Sequence, residues 1–451
     1  MHTGEIKMFR RKVYSELKSW KERVQGKYSV LIQGARRVGK STVAEAFARN
    51  EYRSCIIIDF ANITPQMEDV FKDIADLNRF FLRLQAETNI TLYKRESVIV
   101  FDEIQLYPKV RQAIKYLVAD GRYDYIETGS LISIKKNIKN IVIPSEEYKI
   151  NMYPMDYEEF LWATESANDN LIREIVHSGK GLGESTNRKL MRDFRIYMAV
   201  GGMPQAVEAY VNGQNFLQID AIKREIVELY MDDFRKIDQS GYSSKMYQSV
   251  PAQLALKKKR YTISRATEKR KTDKDTERLF DLIDSRTVLR CSNVTAPGLS
   301  LSQAESETEF KLYLADTGLF TTLLFNDETK VNEDIYRKLL SDKLPENLGY
   351  LYENITAQII TASGRKLYYH TWRKENSTHS YEVDFILHNG MKLLPLEVKS
   401  SRIRPHASLD EFRLKYSNLV NGEWIISQQD INKDKTVTNW PVYCLPFLLE
   451  E

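Results

Sequence analysis

The sequence has few cysteines, and it lacks both a long hydrophobic run and a strong charge of one sign. Its three cysteines, Cys55, Cys291 and Cys444, are far apart, and no cysteine and histidine group has zinc-finger spacing. We therefore expect reduced thiols rather than a disulfide scaffold. The net charge of +4 on 451 residues neither requires nor excludes a nucleic-acid partner.

No apolar run approaches the roughly 18 residues that a membrane-spanning helix needs. The opening segment MHTGEIKMFRRKVYSELKSW is charged throughout and lacks the apolar region of a signal peptide. We therefore expect a cytoplasmic protein with no membrane partner. The hydrophobic fraction of 42% is ordinary for a globular protein, and the length suggests about three domains.

A glycine-rich loop lies between a predicted strand and a predicted helix. The segment YSVLIQ, residues 28–33, is short and apolar, as a buried strand is. TVAEAFARN, residues 42–50, is helix-prone. Between them, GARRVGKS matches the P-loop pattern G-x-x-x-x-G-K-[ST] at every fixed position. A strand before the loop and a helix after it are the context in which this motif binds phosphate.

Each fixed residue of this loop has a physical role. Gly34 and Gly39 allow the backbone to turn so that successive amides point at phosphate oxygens. Lys40 brings a positive charge to the β- and γ-phosphates, and Ser41 offers a hydroxyl to Mg²⁺. The following helix begins at the phosphates, and its dipole favours anions there. We predict nucleotide binding by Gly34, Ala35, Arg36, Arg37, Val38, Gly39, Lys40, Ser41 and Thr42.

Two further predicted strands end in polar side chains. SVIVFDEIQ, residues 97–105, delivers Asp102 to hold Mg²⁺ through water and Glu103 to orient the attacking water. YDYIETGS, residues 123–130, ends in hydroxyls, and Thr128 or Ser130 is predicted to contact the γ-phosphate. An ordinary strand-to-loop turn would explain the same hydroxyls.

Strands that alternate with helices predict an α/β fold, a doubly wound parallel sheet with the nucleotide at its carboxyl edge. We assign this ATPase core to residues 1–152. From residue 153 the pattern becomes helical, with a break at GGMP, residues 201–204. Residues 153–236 are therefore predicted to form a helical lid over the nucleotide.

A basic stretch follows in residues 237–325. Nine lysines and arginines lie between Lys257 and Lys274, flanked by the amphipathic segments SVPAQLAL and TERLFDLIDSRTV. Two extended segments, residues 288–294 and 309–314, follow them. Helix, basic helix, helix and wing is the order of a winged helix, so we predict a winged-helix-like segment that contacts DNA. A solvated charge run on a loop is the alternative.

The C-terminal region, residues 340–451, gathers acidic residues near one lysine. YEVDFILH and MKLLPLEVK are predicted strands of a hairpin that turns about His388, Asn389 and Gly390. Glu397 and Lys399 point the same way because they are two residues apart. Asp384 and Glu397 would hold a divalent cation, and Lys399 would position or deprotonate a water for attack on a phosphodiester. Glu353, from a predicted helix, would add another carboxylate, whereas a surface hairpin with scattered charges is the alternative.

Eight motifs occur in order along nearly the whole chain: GARRVGKST, VIVFDEIQ, ETGS, YPMDYEEFL, GGMPQAV, FKLYLADTGL, EVDFIL and LPLEVKSS. Together they resemble archaeal-type AAA ATPases that carry a C-terminal domain of unknown function similar to PD-(D/E)xK nucleases. The resemblance implies an AAA-type P-loop NTPase core, a helical lid, a winged-helix-like segment and a restriction-endonuclease-like α/β domain. It implies ATP and Mg²⁺ at Gly34, Gly39, Lys40, Ser41, Asp102 and Glu103, and a nuclease-like set of Glu353, Asp384, Glu397 and Lys399.

The sequence departs from this pattern in one place. Relatives usually have Gly-Arg before the strand that leads to the Pro-Met/Leu-Ser-Phe element, whereas Ser145, Glu146 and Glu147 stand here. An arginine that reaches the γ-phosphate must therefore come from elsewhere. Arg111, Arg122 and a neighbouring subunit of a homo-oligomer are the alternatives.

Two functions from different classes follow. The first is an ATPase that couples Mg-ATP binding and hydrolysis to DNA binding, with DNA cleavage by the C-terminal domain as a further step. The second is a nucleotide-dependent regulatory or scaffold protein whose C-terminal domain is catalytically inactive.

Overall fold

The computed structural model describes residues 8–24, 26–130, 144–256, 260–324, 333–341, 349–375, 377–400, 407–434 and 436–450. The chain forms two compact units. Unit 1 contains Met1–Tyr153 and Asp284–Arg286, and unit 2 contains Pro154–Ile283 and Thr287–Glu451. Apart from Tyr153 and Asp284–Arg286, the predicted lid, winged-helix-like segment and C-terminal domain thus all fall in unit 2. In the described residues, no helix is long and apolar enough to cross a membrane.

Unit 1 is built on a sheet of five parallel strands in the order β2-β3-β4-β1-β5. The strands are β1 Ser29–Gly34, β2 Ser54–Asp59, β3 Ser97–Asp102, β4 Asp124–Ser130 and β5 Glu147–Asn151. Strands β1, β3 and β4 differ from their predicted bounds only at the ends. Parallel strands buried on both faces read as continuous apolar runs, which is why these strands were visible in the sequence.

Helices pack on both faces of this sheet. The helices are α1 Lys12–Val24, α2 Lys40–Glu51, α3 Pro65–Val70, α4 Leu77–Thr88 and α5 Pro108–Asp120. Leu31 and Phe101 of the sheet share one core with Phe80 of α4 and Ile114 of α5. The alternate side chains point to the other face, and α2 contacts β1 to β4. The sheet is therefore doubly wound, as predicted.

Unit 2 contains most of the helices. They are α6 Tyr157–Ala163, α7 Asn168–Ser178, α8 Glu184–Val200, α9 Pro204–Val211, α10 Phe216–Ile237, α11 Tyr242–Ala255, α12 Ile263–Thr267, α13 Asp273–Asp284, α14 Thr317–Leu324, α15 Glu333–Leu340, α16 Gly349–Ala362, α17 Ala407–Lys415 and α18 Leu445–Leu448. The GGMP break lies between α8 and α9. A Cβ at Gly202 would lie 2.1 Å from the carbonyl oxygen of Met155, so this close backbone approach requires glycine.

Two sheets complete unit 2. One has four strands in the order β7-β6-β8-β9, and the other has five in the order β10-β11-β12-β14-β13. The strands are β6 Val288–Val294, β7 Glu305–Leu314, β8 Leu367–Arg373, β9 Ser380–Val383, β10 Phe385–Asn389, β11 Lys392–Val398, β12 Glu423–Ser427, β13 Asn432–Asp434 and β14 Val437–Pro441. Val383 of the first sheet and Ile386 of the second share one core.

The segment predicted as a winged helix has the expected order of elements. Helices α11, α12 and α13 are followed by the antiparallel pair β6 and β7. However, β6 also pairs in parallel with β8, so one sheet contains strands from both sides of the boundary predicted near residue 340. The predicted wing is therefore part of a larger sheet.

The predicted C-terminal hairpin is present, with two differences. Asn389 pairs with Lys392, so the two loop residues are Gly390 and Met391 and the predicted turn about His388 is wrong by one position. The strand before it breaks at Asp384, where the chain leaves β9 in one sheet and enters β10 in the other. A half-buried carboxylate thus lies at the junction of two sheets.

Candidate functional site

The P-loop connects the end of β1 to the start of α2. A Cβ at Gly34 would lie 2.1 Å from the carbonyl oxygen of Met152, so only glycine fits against the backbone at Met152. Arg37 and Gly39 have φ angles of 67° and 98°, in the left-handed region. Alternation of backbone conformation of this kind turns successive amides toward one point and creates an anion-binding concavity.

Lys40 is the first residue of α2, and its side chain folds back over the loop. Its Nζ donates hydrogen bonds to the carbonyl oxygens of Gly34, at 3.2 Å, and Ala35, at 2.8 Å. Burial lowers the pKa of the Lys40 ammonium, and the charges of Glu103 and Asp102 oppose this effect. A buried ammonium above an amide-lined loop is suited to bind a polyphosphate.

Asp102 and Glu103 lie at the end of β3, at the same edge of the sheet as the P-loop. Strand β4 lies between β3 and β1. Asp102 Oδ1 accepts a hydrogen bond of 2.7 Å from the exposed Ser41 hydroxyl. The Thr128 hydroxyl of β4 donates to the same oxygen and accepts from the Glu103 amide at 3.2 Å. The predicted Mg²⁺ ligands Ser41 and Asp102 are therefore in contact. Two oxygens that meet at an exposed position fit a hard cation with several retained waters.

Glu103 occupies an unusual backbone conformation. Its φ angle is 56°, in the left-handed region that non-glycine residues seldom adopt, and such outliers cluster at functional sites. The buried Gln105 side chain donates a hydrogen bond to the Glu103 carboxylate. The turn thus separates two adjacent carboxylates, one toward Ser41 and one held by Gln105. This holding role of Gln105 was not predicted, although the residue stands within the quoted motif.

Arg11 is a second residue that sequence reasoning missed. It precedes α1, it is 5% exposed, and it donates hydrogen bonds to the carbonyl oxygens of Val38 at 2.8 Å and Tyr153 at 2.7 Å. The guanidinium therefore ties the P-loop to the chain that follows β5. No local pattern marks such a residue, because its partners lie far along the sequence.

Two of the three predicted sources of a phosphate-binding arginine are wrong. Arg111 makes a paired ion contact with Glu147, with both distances 2.8 Å, and both side chains are buried. Glu147 lies opposite Ser29, the first residue of β1, whereas the P-loop follows its last residue. Five strand residues span about 16 Å, so Arg111 lies at the amino edge of the sheet, away from the phosphates.

Arg122 lies at the same amino edge, just before β4, and its Nε donates to Asp120 at 2.7 Å. At the opposite, carboxyl edge, Arg286 Nη2 donates to Asn151 Oδ1 at 3.3 Å. Asn151 also accepts from Gln33, the residue before the P-loop, at 2.8 Å. An arginine from far along the chain therefore lies beside the P-loop strand. An arginine from a neighbouring subunit stays a prediction.

The C-terminal acidic residues are close together, but other protein groups hold each of them. Asp384 Oδ2 accepts a hydrogen bond of 2.8 Å from the Val398 amide. Glu397 forms an ion pair with Lys399, so the two side chains point the same way, as predicted, but they contact each other. Glu353 accepts from the Tyr313 hydroxyl at 3.3 Å. Burial, and then the charge of Glu353, raise the pKa of the Asp384 carboxyl well above its ordinary value.

This arrangement does not fit the predicted metal site. Among the residues that the structure describes, no group of three or more histidine, cysteine, aspartate or glutamate side chains is arranged to hold a metal ion. One buried oxygen, Glu397 Oε2, lacks a hydrogen-bond partner in the described part of the chain. A single unpaired oxygen is fewer than a divalent cation needs. Metal binding by Glu353, Asp384 and Glu397 therefore has no support in this geometry.

The parallel sheet, the P-loop and the acidic residues beside it define a P-loop nucleoside triphosphatase core of the α/β class. Comparison with family models agrees, because residues 26–161 match the model of the AAA domain. Residues 191–330 and 348–445 match two domains of unknown function, DUF8612 and DUF4143. Residues 26–161 are therefore similar to the AAA domain.

Three solved structures show distant likeness to this chain. A Walker-type ATPase of Pyrococcus abyssi has 17% identity and a TM-score of 0.43, covering 71% of this chain and 97% of that one. A STAND protein with a tetratricopeptide repeat sensor from Pyrococcus horikoshii has 11% identity and a TM-score of 0.29, covering 79% and 48%. Cdc6p from Pyrobaculum aerophilum has 13% identity and a TM-score of 0.25, covering 75% and 96%. A comparison with curated proteins found no match.

Proposed function

We propose that this protein is an Mg-ATP hydrolase whose nucleotide state governs how unit 2 engages DNA. One observation carries the first part of the proposal. The Ser41 hydroxyl contacts the Asp102 carboxylate at 2.7 Å, at the sheet edge where the buried Lys40 closes the P-loop. A hydroxyl, a carboxylate and an ammonium around a loop of inward amides are the groups that nucleotide hydrolysis needs.

Each residue has a distinct role in this proposal. Bound ATP supplies the bond to be broken, and Mg²⁺ neutralises charge on its phosphates. The P-loop amides and Lys40 would bind the phosphates, while Ser41 and Asp102 would hold the metal. Glu103 would orient water, and Gln105 would fix the direction of the Glu103 carboxylate. Thr128 bridges Asp102 and the Glu103 amide, so it would keep the two acidic residues in register.

Two substitutions test the assigned site. Lys40→Ala should abolish binding of Mg-ATP, measured by calorimetry, because it removes the ammonium that lies over the loop carbonyls of Gly34 and Ala35. Glu103→Gln should keep binding but stop turnover, which traps ATP. Lys115→Ala, an exposed lysine on α5, is the matched control. Turnover equal to that of the control in both variants would refute the site.

DNA binding is the second part of the proposal. Exposed basic side chains on α12 and on the segment after it support it, and Lys257, Lys258 and Lys259 lie outside the described residues. The exposed members in the described part are Arg265, Arg270 and Lys271, and the exposed Arg260 precedes α12. Helix α13, in contrast, carries five acidic and two basic residues. We therefore propose that the basic segment before α13, rather than α13 itself, contacts the phosphate backbone.

Fluorescence anisotropy with duplex DNA tests this contact. Changing Arg265, Arg270 and Lys271 to glutamine should weaken binding and should reduce the salt dependence by about one power per lost phosphate contact. Changing Arg235 and Lys236, which pair with acidic neighbours on α10, is the control. An unchanged salt slope in the basic-segment variant would contradict the proposal.

Cleavage of DNA is a separate question from binding. Asp384, Glu353 and Glu397 each bond to another group of the protein. These contacts favour the alternative in which unit 2 is a regulatory fold without nuclease chemistry. A plasmid-nicking assay with Mg²⁺, comparing the wild type with Asp384→Ala, decides between them. Nicking that is lost in the variant would establish cleavage, and equal absence of nicking would support the regulatory alternative.

A further inference from the structure

The carboxylate cluster of unit 2 contains a lysine that has no place in the predicted nuclease-like set. Lys311 comes from β7, it is 4% exposed, and its register partner is Cys291 on β6. Its Nζ lies 2.7 Å from Glu382 Oε1 and 3.6 Å from Glu353 Oε2. The cation thus links the acid on α16 to the acid on β9.

The surroundings of Lys311 are strongly acidic and largely closed to water. Tyr313 lies two residues along the same strand, and its hydroxyl donates to Glu353. The ring centroid of Tyr369, on β8, lies 5.3 Å from the ammonium. Its Nζ lies within ion-pair distance of both Glu353 and Glu382, and these carboxylates favour the charged ammonium over the neutral amine. Lys311 therefore stays charged.

A divalent cation needs several carboxylate oxygens that can turn toward one point. In this cluster Lys311 holds Glu353 and Glu382, Lys399 holds Glu397, and a backbone amide holds Asp384. A metal ion placed among the same oxygens would also lie close to a buried ammonium of the same sign. The cluster thus already has its own cation.

We propose that Lys311 is the permanent counter-ion of this cluster and occupies the role that a divalent metal has in a nuclease. Unit 2 therefore binds no catalytic metal ion while Lys311 is present, and removing the ammonium creates a metal site. This inference goes beyond the proposed ATPase, because it does not depend on nucleotide binding or turnover in unit 1.

Electron paramagnetic resonance with Mn²⁺ alone tests the proposal on the full chain. Ser41→Ala with Asp102→Asn first removes metal binding at the P-loop, so that any remaining bound Mn²⁺ reports on unit 2. In this background, the lysine-containing chain should bind no Mn²⁺ at submillimolar concentrations. Lys311→Met should bind a single Mn²⁺ ion per chain, and adding Asp384→Asn should remove it. Lys311→Arg, which keeps the positive charge, should bind none.

Two results would overturn the inference. One is a Mn²⁺ ion bound by the lysine-containing chain and lost on Asp384→Asn. The other is a folded Lys311→Met variant, judged by circular dichroism, that binds no Mn²⁺. If Lys311→Met does not fold, Mn²⁺ binding by the chain that keeps Lys311 still tests the inference, measured with and without Asp384→Asn. A failure of ATP hydrolysis in unit 1 would change none of these readings.

Discussion

Arg11 provides the sharpest test of how unit 1 prepares its nucleotide site. We predict that Arg11→Met weakens Mg-ATP binding, because the guanidinium fixes the P-loop at Val38 and the following chain at Tyr153. A hydrogen bond from a charged group contributes about 1.5–3 kcal/mol. Losing the bond to Val38 leaves the loop to be ordered by the nucleotide itself, so the dissociation constant should rise about tenfold to one hundredfold. Losing both bonds should lower the free energy of unfolding by about 3 kcal/mol or more.

Calorimetric titration with a non-hydrolysable Mg-ATP analogue measures the affinity, and urea unfolding measures the stability. Arg10→Met, at the exposed neighbouring position, is the matched control and should match the wild type in both measurements. Affinity of Arg11→Met within twofold of that control would refute the reasoning. Loss of stability with unchanged affinity would show that Arg11 supports the fold but not the loop.

Three further predictions concern the sheet of unit 1. Gly34→Ala should destabilise unit 1 in urea unfolding and abolish nucleotide binding, because the added Cβ would lie 2.1 Å from the carbonyl oxygen of Met152. A free energy of unfolding equal to that of the wild type would contradict this close approach. Arg111→Met should cost about 3–5 kcal/mol of unfolding free energy, since it leaves the Glu147 carboxylate buried without its partner, and adding Glu147→Met should recover most of the loss. Burial, and then the charge of Glu147, raise the pKa of Glu127 from 4.5 to about 8. Between these two pKa values the folded state thus binds more protons than the unfolded state, so the free energy of unfolding should fall as the pH rises. Glu127→Gln should reduce this dependence of stability on pH.

Local patterns were sufficient for the ATPase core. The apolar runs predicted β1, β3 and β4, and the P-loop pattern placed Lys40 and Ser41 correctly at the start of a helix. The acidic pair after β3 was also placed correctly, since parallel strands bring their carboxyl ends to one edge. These successes share a cause. The signals are strong over a few neighbouring residues, and the sheet topology then fixes where they meet.

Sequence patterns did not predict the side-chain contacts between residues that are distant along the chain. Arg111 and Arg122 were plausible as phosphate ligands until the strand register placed both at the amino edge. The hairpin of the C-terminal region was predicted, yet its turn lies one residue later because Asn389 is paired with Lys392. The motif Glu397 and Lys399 was visible, but nothing near it in sequence announced Lys311.

Local sequence patterns were enough to predict a P-loop between a strand and a helix, with two adjacent acids on a nearby strand. Those features are local, because each depends on residue types at fixed short spacings. Which charged groups come into contact depends on how distant parts of the chain fold together: Arg11 contacts the P-loop, Arg111 pairs with Glu147, and Lys311 pairs with Glu353 and Glu382. Buried charges are stable only with partners, and sheet pairing brings those partners together from distant parts of the chain.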